Sequence, residues 1–278
     1  MSYNVEVFDF FKYFWANDKL ACFKDEEDLR YVDELPDVIK IEIFKGFLFR
    51  SFINTFKNFF VIPKHIDQQH SYFKWTDEVY ADFMISLMKF LEPRTYKVGQ
   101  IIHEELSEVE ECLFVLKGSY FVGYEINKIR KMRLHFPPGS IIGGFESTFN
   151  VQSMFIYKCK NEIHAYSIRK PNLKLLEDKN PSIFMTLKKR FFKNFMKQIR
   201  GPIMQYKNAD LKAVKNRSEN SMMLSLNCLS DTEMREIMKE LWDDKSKEEN
   251  KCTFDGLNGL VDNLEGAIYQ ILKSKESN

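Results

Sequence analysis

The 278-residue chain predicts an α+β fold: a helical N-terminal region, a jelly-roll-like β-sandwich flanked by helices, and a helical tail. Three observations predict it. Val98-Gly99-Gln100-Ile101-Ile102-His103 and Leu113-Phe114-Val115-Leu116-Lys117-Gly118-Ser119 read as short strands, each turned by a glycine where other residues would be strained. The segment Pro137-Pro138-Gly139-Ser140-Ile141-Ile142-Gly143-Gly144-Phe145-Glu146 then breaks the strand pattern with a glycine-rich cassette. Apolar stripes at helical spacing precede and follow this β-rich part.

Taken in order, residues 4–16 place Val5, Phe8, Phe11 (or Tyr13) and Trp15 on one face of a short amphipathic helix. The acidic break Lys24-Asp25-Glu26-Glu27-Asp28 follows. A second helix opens near Asp33-Glu34-Leu35-Pro36, with Pro36 in the first turn where its missing N–H costs nothing. Its stripe is Ile41, Phe44, Leu48, Phe52, Phe56 and Phe59, and Gly46 inside that run suggests two helices butted together. Residues 61–75 read as a loop. Thr76-Asp77-Glu78 caps a third helix with Val79, Phe83, Leu87 and Phe90 inward. Strands fill residues 93–168, a short helix covers 171–179, and a longer one runs from Ser182 to Arg200 and stops at Gly201-Pro202. The tail holds two helical candidates, 230–242 and 253–273. The organisation is thus 1–60 helical linker, 61–200 β-rich domain with a lid helix at about 182–200, and 201–278 helical tail.

Composition excludes several classes. Forty-one Lys and Arg against 40 Asp and Glu give a net charge of +1, so no whole-chain field points to nucleic acid. The five cysteines are scattered without CxxC spacing, which signals neither a disulfide framework nor zinc and fits reduced, cytoplasmic thiols. No apolar run reaches the roughly 18 residues of a membrane span, and no signal-peptide order opens the chain. Nothing resembles a Ser/His/Asp, Cys/His or paired-carboxylate constellation, so no enzyme is expected.

The glycine-turned strands and the cassette resemble the cyclic nucleotide-binding domain family. The helix Asp33-Glu34-Leu35-Pro36-Asp37-Val38-Ile39-Lys40-Ile41-Glu42-Ile43, at the right distance before the roll, closely resembles the C-linker. That is the helical collar of cyclic nucleotide-gated, hyperpolarisation-activated and ether-à-go-go-type cation channels. The Phe- and Lys-rich style is similar to that of ciliate potassium channels. The likeness covers about residues 5–200; kinase regulatory subunits and bacterial catabolite activators share the roll but not the linker. It implies a cytoplasmic regulatory region at the inner face of a membrane. Its partners would be a channel's transmembrane part or the neighbouring subunits of a homo- or hetero-tetramer. A soluble regulatory module of a kinase or scaffold, or an interaction protein with a decayed roll, is the alternative.

The resemblance also implies a ligand site. The family meets the nucleotide phosphate with the N-terminal N–H groups of a short helix and an Arg, and the ribose with a Glu. On that pattern Gly143 takes the loop-glycine position, with Phe145 and Glu146 beside it in the phosphate loop. The Glu position falls on Gly144, and the Arg–Thr pair falls on Ser153 and Met154. Each hydrogen bond to a charged group contributes roughly 1.5–3 kcal/mol, so losing two weakens binding by about 3–6 kcal/mol, on the order of 10²–10⁴-fold. Binding of cAMP or cGMP is therefore disfavoured, and no other cofactor is indicated.

Three further features have plainer readings. Glu104, Glu105, Glu108, Glu110 and Glu111 lack the spaced ligands of a calcium loop and read as a solvated run. His103, His135 and His164 lie on separate β segments without ligand spacing, so no metal site is expected. The helix with Phe184, Leu187, Phe191, Phe195 and Ile199 on one side carries Lys188 to Arg200 elsewhere. It reads as the lid helix, with a calmodulin or membrane-surface contact as the sharper alternative. Leu257, Leu260, Leu264, Ala267 and Ile271 have the spacing of a coiled-coil seam of about two heptads, which also suits a helix docked on its own domain.

Overall fold

Eight strands form two four-stranded antiparallel sheets in the computed structural model, which describes residues 11–21, 31–32, 34–64, 72–215 and 232–237. The first sheet has the order β1 (Glu92–Tyr96), β8 (Ile163–Arg169), β3 (Glu111–Lys117), β6 (Ile141–Ile142). The second runs β2 (Ile101–His103), β7 (Ile156–Cys159), β4 (Tyr120–Ile126), β5 (Ile129–Phe136). Chain neighbours β3 and β4 fall in different sheets, as do β1 and β2, which is the sandwich the strand spacing predicts. Gly118 takes φ +85° at the β3–β4 corner, and a Cβ there would overlap the Glu162 carbonyl. Glycine is required at that corner on both counts.

Helices cover the sandwich. Residues 11–17 form α1; α2 (Asp37–Ile41) continues into a π-helical turn, Glu42–Leu48; and α3 (Arg50–Phe56) follows after Phe49. The two butted helices are present, and their join falls at Phe49, three residues past Gly46. Pro36 sits just ahead of α2. The expected phenylalanine stripe is the packing face: Phe44, Phe52 and Phe56 are buried, and Phe52 meets Phe114 of β3 at 5.3 Å and Tyr166 of β8 at 6.1 Å, both edge-on. In α1 Tyr13, the alternative to Phe11, makes the inward contact and reaches His164 Nδ1 at 2.8 Å, while Phe11 and Trp15 are exposed with their rings 5.5 Å apart.

The third predicted helix, α4 (Glu78–Lys89), begins after Asp77, whose carboxylate accepts the Lys74 N–H. Its inward residues are Tyr80, Phe83, Met84, Leu87 and Met88; Val79 is exposed because the face turns one residue later than the sequence suggests. Beyond the strands come α5 (Gly144–Phe149), α6 (Lys170–Lys179) and α7 (Pro181–Asn194). The last of these does not stop at Gly201-Pro202. A second π-helical turn, Phe195–Arg200, passes it into α8 (Gly201–Lys215), with the Gly201 N–H bonded to the Met196 carbonyl. The wider turn shifts the bonding register, so Pro202, which has no N–H to give, breaks nothing.

The chain divides into two compact units, Met1–Val61 with Lys74–Leu229, and Ile62–Phe73 with Ser230–Asn278. In the second unit Pro63 bridges Tyr72, and residues 232–237 are helical. The coiled-coil seam of Leu257 to Ile271 lies outside the described residues. No described helix is long and apolar enough to cross a membrane.

Two stability outcomes follow. Phe52→Ala removes a fully buried ring touching four other aromatics and should lower unfolding free energy by about 3–5 kcal/mol in a urea titration. A loss under 1 kcal/mol would mean the helix is not part of the core. The β4–β5 turn places Asn127 and Lys128 both in the left-handed region, φ 52° and 62°. Lys128→Gly relieves that strain and should raise the thermal midpoint, by up to ~1 kcal/mol at the transition.

Candidate functional site

The cassette begins where β6 pairs with β3, Ile142 opposite Leu113 and Ile141 opposite Phe114. Gly143 then turns the chain at φ +71° into α5. A Cβ at Gly143 would sit 2.8 Å from the Glu111 carbonyl and from Val109 Cγ1, so the turn is pressed under the start of β3. Gly144 is needed for a different reason. A Cβ there would overlap the ring of Phe191, which comes from α7. Phe145 stacks on Phe195 at 4.4 Å and meets Phe192 edge-on at 5.9 Å. The short helix that the resemblance assigns to phosphate binding is thus covered by three phenylalanines of the chain itself.

Glu146 points inward. It is 1% exposed, and Oε1 accepts the Tyr157 hydroxyl at 3.1 Å. Burial pushes its carboxyl up to about 7, opposed by hydrogen bonds from its own backbone N–H and from Tyr157. His103, 9% exposed, stands edge-on to Tyr157 at 5.8 Å. Burial pushes the imidazole down to about 4, so it is neutral near pH 7, and Nε2 has no partner among the described residues. Tyr120, fully buried, lies 6.1 Å from Tyr157.

Ser153 and Met154 occupy the loop before β7 and are buried. The Ser153 hydroxyl donates to the Phe155 carbonyl at 2.8 Å, and its backbone pairs with Ser107 and Leu106 of the β2–β3 loop. Gly143 turns the chain into α5, whose first three residues are Gly144, Phe145 and Glu146. Glu146 faces Tyr157, and Ser153 has its hydroxyl committed to backbone. Sequence reasoning missed Phe191 as the ring over Gly144, and Tyr157 and His103 as neighbours of the buried acid. Doubled glycines opposite a Phe-rich helix are the signal for the first; the others carry none.

Cations near α5 are engaged. Lys188 pairs with Glu177 at 2.7 Å and lies over the Phe149 ring; Lys170 bonds Asn150; Arg190 donates to the carbonyls of Asn58, Phe59 and Val61. The acidic run is not simply solvated. Glu104 pairs with Arg130 at 2.8 Å, Glu105 with Lys207 at 2.8 Å, and Glu111 with Arg94 at 3.0 Å. Among the described residues no cluster of His, Cys, Asp and Glu could hold a metal. Phe184, Leu187 and Phe191 of α7, and Phe195 and Ile199 of the π-helical turn after it, are all buried.

No protein-family model and no curated protein matches the chain. Solved structures do resemble it. The regulatory subunit of a cAMP-independent protein kinase A from Trypanosoma brucei is 18% identical over 47% of this chain and 44% of that one, with a TM-score of 0.36. The corresponding Trypanosoma cruzi subunit, bound to guanosine, is 14% identical over 50% and 48%, also at 0.36. A cyclic nucleotide-binding domain from Methylobacillus flagellatus is 13% identical over 64% and 88%, at 0.42. The chain spans under half the length of the two trypanosomal proteins. At these levels of likeness the reading of the site rests on the chain's own geometry.

The buried acid and imidazole give opposite pH dependences. Glu146 has its pKa raised from 4.5 to about 7, so its contribution is complete below pH 4.5 and is lost as pH rises towards 7. His103 has its pKa lowered from 6.5 to about 4, so its contribution is complete above pH 6.5 and is lost as pH falls towards 4. Glu146→Gln removes the first alone. The stability difference, Glu146→Gln minus wild type, should therefore climb between pH 4.5 and 7, on the order of 3 kcal/mol in full. Urea midpoints measured across that range check it; a flat difference would show that Glu146 ionises in the fold as it does in water.

Proposed function

We propose that this chain is a regulatory domain on a cyclic nucleotide-binding-type roll whose nucleotide pocket is closed by its own side chains. In this reading it is the cytoplasmic regulatory region of a cation channel, a potassium channel by the sequence resemblance, gated without cyclic nucleotide. One observation carries the closure. The Phe191 ring lies against Gly144, leaving no room for the Glu that would hold a ribose. The inward turn of Glu146 and the committed hydroxyl of Ser153 support it. Among the described residues, the basic side chains Lys170, Lys188 and Arg190 have other partners. A ligand acts only through its differential affinity for two states, so signals in such a domain come from partners or from the pore.

A second reading, a regulatory module of a kinase or scaffold, is favoured by the packing of Phe52 and Phe56 on the roll. A helix seated in this way needs no collar of neighbouring subunits. Sequencing the transcript 5′ of Met1 separates the two: an in-frame pore segment supports the channel, and its absence the soluble module.

The pocket itself is tested by calorimetry. The intact chain should give no binding heat with cAMP or cGMP up to about millimolar concentration, and micromolar affinity for either would overturn the reading. Phe191→Ala combined with Gly144→Glu reopens the position and should be the variant in which binding first appears.

A further inference from the structure

The arm α8 is attached to the roll in an unusual way. Of its described side chains only Ile203 is an apolar residue in the core; the other buried one is Lys207, 4% exposed. Lys207 Nζ meets Glu105 Oε1 at 2.8 Å and lies 5.7 Å over the Tyr124 ring, while Glu105 also accepts the Glu125 N–H at 3.1 Å. One turn further on, Asp210 accepts the Tyr124 hydroxyl at 2.5 Å, Arg133 at 2.7 Å and Lys131 at 3.0 Å. Arg133 in turn sits 5.8 Å from the Tyr206 ring. Burial disfavours the Asp210 charge, yet these three donors hold its carboxyl well below the usual carboxylate range.

The segment just before differs in kind. Phe191, Phe192, Phe195 and Ile199 are buried apolar anchors, and they end at the π-helical turn and Gly201-Pro202. The π turn and Gly201-Pro202 replace regular i→i−4 bonding with a wider register, and such interruptions are where helices bend. We propose that α8 is a releasable arm. An ionic clasp of Lys207 and Asp210 with Glu105, Tyr124, Lys131 and Arg133 holds it on the β4–β5 hairpin, and residues 200–202, just past the last anchor Ile199, are the hinge on which it leaves. Apolar burial persists in salt, and so does most of the buried Lys207–Glu105 pair, whereas the pairs of Asp210 with the half-buried Lys131 and Arg133 weaken as the Debye length shrinks to about 3 Å at 1 M. Salt, or a partner presenting competing charges to Lys131 and Arg133, therefore frees the arm and leaves the roll intact. This gives the domain a moving part that needs no nucleotide, and it stands whether or not the pocket binds one.

Hydrogen–deuterium exchange on the intact chain, without nucleotide, tests it. In low salt, Asp210→Asn should speed exchange of the α8 amides beyond Pro202 at least about tenfold, with β4 and β8 amides unchanged. Wild type in 1 M NaCl should show the same selective rise, Asp210→Asn should lose its salt sensitivity, and Asp210→Glu should restore protection. Two results would overturn the proposal: α8 protection unmoved by salt and by Asp210→Asn, or α8 and the strands accelerating together by one factor. The wild-type salt arm decides the matter even if a variant folds poorly.

Discussion

The ring of Phe114 is the point through which the architecture is tied together. It lies on an inner strand of the first sheet and meets Phe52, Phe56, Phe59 and Phe60 at 5.3, 5.1, 6.3 and 6.0 Å. Aromatic pairs contribute about 0.5–1.5 kcal/mol each beyond their burial, so this cluster fastens the N-terminal helices to the sandwich. The contact continues from Phe59 to Phe191 at 5.0 Å, and Phe191 is the ring that lies on Gly144. Closure of the cassette is therefore not a local accident of α5. It is the far end of the packing that seats α3, and Phe191 cannot leave Gly144 without disturbing Phe59. The carbonyls of Asn58, Phe59 and Val61, which take the Arg190 guanidinium, fix the same two segments from the polar side.

Inside the roll the polar groups form a neighbourhood that is matched by charge state, not by ion pairing. A carboxyl raised by burial, an imidazole lowered by burial and two buried phenols share the space around Tyr157. A second cation or anion placed there would face the full cost of desolvation. Arg94, the buried arginine of β1, is held between Glu92 and Glu111 and takes no part. Such an interior suits a rigid scaffold more than a receptor for an anionic ligand.

Much of this was legible in the sequence where a single physical requirement dominates. Gly99, Gly118, Gly139 and Gly143 all have positive φ, which is why the strand–turn rhythm could be read at all. The 3.6-residue stripe of Phe44, Phe52 and Phe56 marked its buried face correctly. Where two requirements compete, the sequence was mute. Gly201-Pro202 reads as a stop, yet a π turn accommodates it; Val79 fits the stripe of α4 but faces solvent. At the site, Gly144 and Ser153 in place of a Glu and an Arg are what the resemblance to cyclic nucleotide-binding domains implies. The ring that fills the space comes from 47 positions downstream of Gly144 (191 − 144 = 47), and only the folded chain brings it there.

The borders of the two sheets have a consequence for how this protein lives among others. An open strand border is a template on which foreign chains can pair. Here β6 has two residues and β2 three, β1 carries Pro93, and β5 carries Arg130, Lys131 and Arg133. All four borders are thus too short, proline-bearing or cationic to extend a ladder. Among the described residues, then, the sheet borders favour contacts made side chain to side chain over the addition of a foreign strand.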